Sequence, residues 1–181
     1  MPSTIQCHTP SYVPNGREVA VFSTERGLVR VRLAGRVAPV NVGNFAELAR
    51  AGFYDGLKFH GGSTGERIDG GDPMTRTLTG REVLKVAKNR WGAMGMGGPG
   101  YFVRGEFANN PSNRHNDGAL AMARLGGPDT AGSQFYFCQA PLHGRDRLFT
   151  VIGQTVEGLD VVHALRPGDA VLSVHIEEIA R

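Results

Sequence analysis

Apolar residues recur at every second position on both sides of a short polar turn: Val19 and Val21, then Val29, Val31 and Leu33, around Thr24-Glu25-Arg26-Gly27. Period two marks an extended strand with one buried face, and two such runs across a tight turn make a β-hairpin. Arg30 and Arg32 fall between the valines and are expected on the solvent face. Further short runs at 58–60, 67–71, 118–123, 135–138, 150–153 and 171–179 alternate with turn-forming clusters, and 26 of the 181 residues are glycine. A chain of this length builds one well-buried core. The pattern points to a β-rich, loop-rich domain more than to a helical bundle.

Two stretches break the alternation. From Pro39 to Ala51, residues Val42, Phe45, Leu48 and Ala49 share one helical face, with Pro39 suited to the first turn and Gly52 placed to end the helix. From Val156 to Leu165, Val156, Leu159, Val162 and His163 stand in helical register. Residues 1–16, with Pro2, Pro10 and Pro14, read as an extension laid on the surface or left mobile. Residues 17–181 form the domain, interrupted by a long glycine-rich insertion at about 73–101 that carries Trp91 and the turn Gly97-Gly98-Pro99-Gly100.

The formal charge of +3 invites an anionic partner, but the 20 lysines and arginines are scattered without a dense basic run. No nucleic-acid partner is expected. No apolar run approaches the ~20 residues of a membrane helix, and the start lacks a charged region followed by an apolar one. A cytoplasmic protein without a membrane partner is expected. Cys7 and Cys138 have no spacing that supports a disulfide, and neither the cysteines nor the six histidines stand at metal-ligand spacing. No cofactor or metal is called for. Ser133 lies outside the Gly-x-Ser-x-Gly pattern of a hydrolase nucleophile.

Two blocks carry a family resemblance. One is Ala119-Leu120-Ala121-Met122-Ala123-Arg124, then Gly132-Ser133-Gln134-Phe135-Tyr136-Phe137 and Phe149-Thr150-Val151-Ile152-Gly153. The other is Tyr54 to His60, followed by Ile68-Asp69-Gly70-Gly71-Asp72-Pro73. Together they resemble the cyclophilin-type peptidyl-prolyl cis/trans isomerases, over about residues 17–181. The resemblance implies a mainly β fold, a closed eight-stranded antiparallel barrel capped by two helices. It also implies an isomerase of X-Pro bonds that assists protein folding, with proline-containing segments as partners. Nothing suggests an obligate oligomer, so a monomer is expected.

Rotation about an X-Pro bond needs neither nucleophile nor metal. The barrier of ~18–20 kcal/mol comes from amide resonance, which is lost in the twisted state as the proline nitrogen regains its lone pair. A donor aimed at that nitrogen, a pocket for the ring and backbone pairing with the peptide would suffice.

Within the resemblance the chain keeps His60, Ala123, Arg124 and Gln134, and Phe149 stands where the family has an aromatic or histidine. It departs elsewhere. Gly61 replaces the family's catalytic arginine and Asp69 its supporting glutamine, Glu66 and Arg67 replace a pocket phenylalanine and methionine, and Tyr136 replaces a pocket phenylalanine. Arg145 replaces an aliphatic wall residue and Gly144 its bulky neighbour. Arg67 and Asp69, two apart on one strand, point to one face. Arg67 is therefore the candidate for a relocated donor held by Asp69, the other reading being a surface ion pair. Tyr136 has two readings, a pocket wall with its hydroxyl toward the ligand or a buried aromatic with the hydroxyl satisfied elsewhere. His60 reads as architectural. The candidate site is thus Arg67 and Gln134 for catalysis, with His60, Glu66, Asp69, Ala123, Arg124, Tyr136, Arg145 and Phe149 around the substrate. Reduced activity follows if nothing substitutes for the missing arginine, and a peptide-binding or chaperone-like module with weak or absent catalysis is the alternative.

Overall fold

The period-two valines do build a hairpin, β1 (Glu18–Thr24) and β2 (Gly27–Leu33), in a computed structural model that describes residues 7–88 and 94–180. The faces differ from expectation. Ala20 lies opposite Val31 and Phe22 opposite Val29, and these four enter the core, whereas Val19 and Val21 lie opposite Arg32 and Arg30. Only Glu25 and Arg26 separate the strands, so the inward parity switches from odd positions on β2 to even positions on β1. Val19 and Val21 are nonetheless buried, on the face that carries Arg30 and Arg32.

Helix α1 (Pro39–Arg50) follows, with Pro39 in its first turn and Gly52 at φ +69° just beyond its end. Its own flanking residue, Ala38, offers no side-chain cap. Glu106, remote in sequence, supplies one: its carboxylate accepts the backbone N–H groups of Val40 at 3.0 Å and Asn41 at 2.9 Å. The remaining strands are β3 (Arg67–Gly70), β4 (Ala119–Arg124), β5 (Ala131–Cys138), β6 (Val151–Glu157) and β7 (Val171–Glu178). They form one antiparallel sheet in the order β3-β5-β4-β6-β2-β1-β7.

This seven-stranded curled sheet corrects the expected closed barrel of eight strands. The segment 58–60, read as the eighth strand, runs between the two edges of the sheet but pairs only through scattered bonds. Phe59 donates to Asp169 at 2.9 Å, His60 donates to Asp69 at 2.9 Å, and Lys58 and Gly61 make isolated bridges to Ala170 and Asp69. The seam between β3 and β7 is therefore stitched rather than laddered.

Helices number three among the described residues, not two. Helix α2 (Gly80–Lys88) lies inside the glycine-rich insertion, and α3 (Leu159–Ala164) is shorter than the periodicity suggested, since Val156 belongs to β6. Helix α2 starts on a capping box, in which Glu82 N–H donates to Thr79 Oγ1 at 3.3 Å and Thr79 N–H donates to the Glu82 carboxylate at 2.7 Å. Trp91 lies outside the described residues.

The curled sheet wraps a core in which Phe22, Phe45, Phe59, Phe135, Phe137 and Tyr54 meet edge to face or stacked, as in Phe22 and Phe137 at 5.1 Å between centroids. From residue 7 onward the N-terminal segment lies on the domain surface. His8 N–H donates to the Phe102 carbonyl at 2.7 Å, and Ser11 and Tyr12 N–H donate to Glu47 on α1. No helix among the described residues is long and apolar enough to cross a membrane.

Candidate active site

Strands β3, β4 and β5 lie side by side at one end of the sheet, and their cleft-facing side chains line a cleft of about 450 Å³. Into it come His60 and Gly61 from the seam, Arg67 and Asp69 from β3, Ala123 and Arg124 from β4, and Gln134 and Tyr136 from β5. Arg145, from a 3-10 turn at His143–Arg145, and Phe149 complete the wall, joined by Val86 of α2 and by Met94 and Gly95. Nine of the ten candidate residues thus converge. Glu66 does not: it is exposed in the turn before β3, because successive side chains along an extended chain point to opposite sides and Arg67 points inward.

Arg67 and Asp69 form a two-bond pair, Nε to Oδ1 at 2.9 Å and Nη2 to Oδ2 at 3.3 Å. The carboxylate sits beside Gly61: a Cβ on that glycine would lie 3.4 Å from Asp69 Oδ2. The Arg67–Asp69 pair therefore borders Gly61 through its carboxylate. Burial works against the charge of Arg67, but the adjacent carboxylate outweighs it and holds the pKa above the ordinary arginine value. Among the described residues, its Nη1 makes no protein hydrogen bond.

Tyr136 lines the cleft, as the first expectation had it, but its hydroxyl does not face a ligand and is satisfied elsewhere, as the second had it. Its ring lines the cleft, with Arg67 Cζ at 5.7 Å and Arg145 Cζ at 5.4 Å from the ring centroid, while its hydroxyl turns away to His115 Nε2 at 2.9 Å. His115 is wholly buried and also bonds Asp146 through Nδ1 at 3.1 Å. Burial lowers its pKa despite that carboxylate, so the ring is neutral, donates from Nδ1 and accepts from tyrosine at Nε2. Burial pushes the Tyr136 hydroxyl well above its ordinary pKa. His115 and Asp146 were not marked by the sequence, where they lie 31 residues apart with no motif joining them.

Gln134 donates from Nε2 to the Gly97 carbonyl at 2.7 Å, and Asp72 accepts from Met74 and Gly97 N–H groups at 2.9 and 3.4 Å. These bonds pin the glycine turn 97–100 against the sheet. The turn lines a second cleft of about 550 Å³ that shares Gly95, Ala123, Arg124 and Gln134 with the first. The ladder between β4 and β5 slips between Met122 and Arg124, leaving Ala123 out of register where the two clefts meet. Such a bulge re-aims the backbone. His60 borders the first cleft with Nδ1 buried and unpartnered, and burial lowers its pKa although Asp69 and Asp72 pull the other way. Among the described residues no group of three or more metal-ligating side chains comes together.

The chain matches the family described as cyclophilin type peptidyl-prolyl cis-trans isomerase/CLD over residues 19–179. A peptidyl-prolyl cis-trans isomerase of Synechococcus elongatus is 39% identical over 159 residues, covering 87% of this chain and 94% of the relative. The peptidyl-prolyl cis-trans isomerase B of Bacillus subtilis is 35% identical over 149 residues, covering 82% and 90%. Among solved structures, a Cryptosporidium parvum cyclophilin superposes with a TM-score of 0.73 at 22% identity, over 90% of this chain and 99% of that one. The same enzyme in the presence of the dipeptide Ala-Pro superposes with a TM-score of 0.69 at 21% identity, with the same coverage. The fold thus has a known counterpart, and this chain belongs to the cyclophilin-type peptidyl-prolyl cis-trans isomerases.

Proposed function

We propose that the chain performs the family's isomerisation of X-Pro bonds with Arg67 as the donor to the proline nitrogen and Asp69 as its brace. The observation that carries this reading is the two-bond pair of Arg67 and Asp69 beside Gly61. Two of the guanidinium nitrogens are spent on Asp69, which fixes the plane of the fork, and Nη1 remains to meet a ligand. A preorganised donor of this kind costs no reorientation when the amide twists and the nitrogen lone pair emerges. Tyr136 and Phe149 offer aromatic surface to the proline ring, and the bulge at Ala123 offers backbone to the flanking peptide. Proline-containing segments are the substrate class, a reading supported by the Ala-Pro dipeptide present with the Cryptosporidium parvum relative.

The test is exchange NMR on an Ala-Pro peptide, with wild type, Arg67→Ala and Arg67→Lys at catalytic amounts. Loss of one preorganised donor typically lowers the rate about a hundred- to thousandfold. Arg67→Ala is expected to fall by that factor, and Arg67→Lys to recover little, because an ammonium cannot hold Asp69 through two bonds and still present a third N–H in a fixed plane. Equal rates for wild type and Arg67→Ala, with both folded by circular dichroism, would remove Arg67 from the mechanism. Peptide shifts without exchange in wild type would instead favour a binding module.

A further inference from the structure

Three arginines line the first cleft, Arg67, Arg124 and Arg145, against a single acidic residue, Asp69. Asp69 is already taken, with both oxygens bonded to Arg67. Asp146, next in the chain to Arg145, is committed elsewhere: it accepts from His115 and His143 and pairs with Arg114 at 3.4 Å. Among the described residues, no carboxylate lies within 4.0 Å of the Arg124 or Arg145 guanidinium. Two positive charges therefore border the cleft without a counter-charge.

Both are also held in place. Arg124 donates from Nε to the Leu148 carbonyl at 3.2 Å and from Nη1 to that of Gly126, with its Cζ at 4.6 Å from the Phe149 centroid. Arg145 lies over two rings, with Cζ at 4.8 Å from Phe149 and 5.4 Å from Tyr136. Stacking of this kind occupies the face of a guanidinium and leaves its rim to hydrogen bonding; Arg124 spends Nε and Nη1 on carbonyls and Arg145 also meets the Tyr136 hydroxyl, so the remaining N–H groups are the ones that would meet a carboxylate. A bare apolar side chain next to proline would gain nothing from those edges. An acidic one would neutralise them in a partly desolvated site, where the attraction is stronger than in water.

We infer that this isomerase selects X-Pro segments in which a residue adjoining the proline is glutamate or aspartate, with Arg145 and Arg124 as the selecting groups. The inference rests on the isomerase reading of the same cleft and adds the substrate class to it. Neither arginine has to act on the twisting bond for the selection to work. Binding energy from a neighbouring side chain raises kcat/KM, and any part realised only when the peptide is twisted raises kcat.

The experiment measures kcat/KM by exchange NMR on paired peptides that differ only beside the proline: Glu-Pro against Gln-Pro and Lys-Pro, and Pro-Glu against Pro-Gln. At low salt we expect at least one Glu peptide to exceed its Gln partner about tenfold, with Lys-Pro lowest. The ratio should shrink in 0.5 M salt, roughly where screening shortens the reach of exposed charges to a few ångströms. Arg145→Gln and Arg124→Gln, separately, should each lower the Glu-to-Gln ratio, and the double variant should bring it close to one. Equal rates for Glu and Gln in both positions, with neutral peptides turned over, would overturn the preference and leave the isomerase standing. Failure to accelerate any peptide would overturn both. A ratio unmoved in the double arginine variant would overturn the assignment of these residues.

Discussion

Tyr136 donates its hydroxyl to His115 Nε2 at 2.9 Å, and the same imidazole donates from Nδ1 to Asp146 at 3.1 Å. A wall of the active-site cleft is thereby tied, through one buried ring, to the residue next to Arg145. Tyr136→Phe would leave His115 Nε2 buried without a donor, a loss of about 1–3 kcal/mol. His115→Leu would orphan the tyrosine hydroxyl instead. We predict that the double variant costs less than the two single costs added, by about 0.5–3 kcal/mol, as residues sharing a bond behave. Urea midpoints for the four proteins check this, and additive costs would mean that the contact carries no coupling.

Much of the scaffold is legible in the residue pattern, and the misses have identifiable causes. Strand positions and α1 follow from period two and period 3.6. The inward faces of β1 do not, because valines fill one face and Ala20 and Phe22 the other, so burial on both faces erases the alternation. Helix α2 hides in a glycine-rich stretch; its signals, the Thr79-to-Glu82 capping box and a short stripe of Val83 and Val86 one turn apart, are easily passed over there. The expected eighth strand is apolar enough at Phe59, but its neighbours bond to two different edges and never form a ladder. The cleft residues were found through family resemblance and strand parity. His115 and Asp146 could not be, since a relay between loops leaves no spacing to read.

Glycine at position 61 makes a rescue possible. Gly61 has no left-handed φ, and among the described residues a Cβ there meets only Asp69, at ordinary contact distance. Arginine therefore fits the backbone and finds the same carboxylate that now holds Arg67. In the Arg67→Ala background, Gly61→Arg is predicted to recover about tenfold or more of the lost kcat/KM, since the donor returns by another route. Adding Asp69→Asn should cancel much of the recovery, because an amide gives up the charge-assisted bond. A rescue that is absent in a folded Gly61→Arg, Arg67→Ala protein would mean that donor position is more demanding than this pair suggests.

Glu106 caps α1 from a distance, and its loss should be felt across the domain. Besides the two backbone donors, it accepts Asn41 Nδ2 at 2.8 Å, and its own N–H donates to Thr150 Oγ1 at 2.9 Å. Negative charge at a helix N-terminus is favourable, and cap removal costs about 0.5–2 kcal/mol. Glu106→Ala is predicted to lower the thermal midpoint by several degrees, with Glu106→Gln in between. A shift as small as that of an exposed control such as Glu157→Ala would show that water replaces the cap without cost.

Two buried histidines set the acid side of the stability profile. Burial lowers the pKa of both His60 and His115 in the folded chain, while the unfolded chain titrates near 6.5. Below that value the unfolded state binds protons that the folded state refuses, so stability rises with pH. Their contribution is complete above about pH 6.5 and is lost as pH falls toward their folded values, at up to about 1.4 kcal/mol per pH unit for each. Glu18, Glu47 and Asp146 have pKa values held low, so the stability they add is lost only further down, from about pH 4.5. Urea unfolding at pH 7.5, 6.5, 5.5 and 5.0 should therefore show a decline that belongs to the imidazoles, and His115→Gln should make it shallower. A flat profile over that range would mean that the two rings protonate as readily inside the fold as outside it.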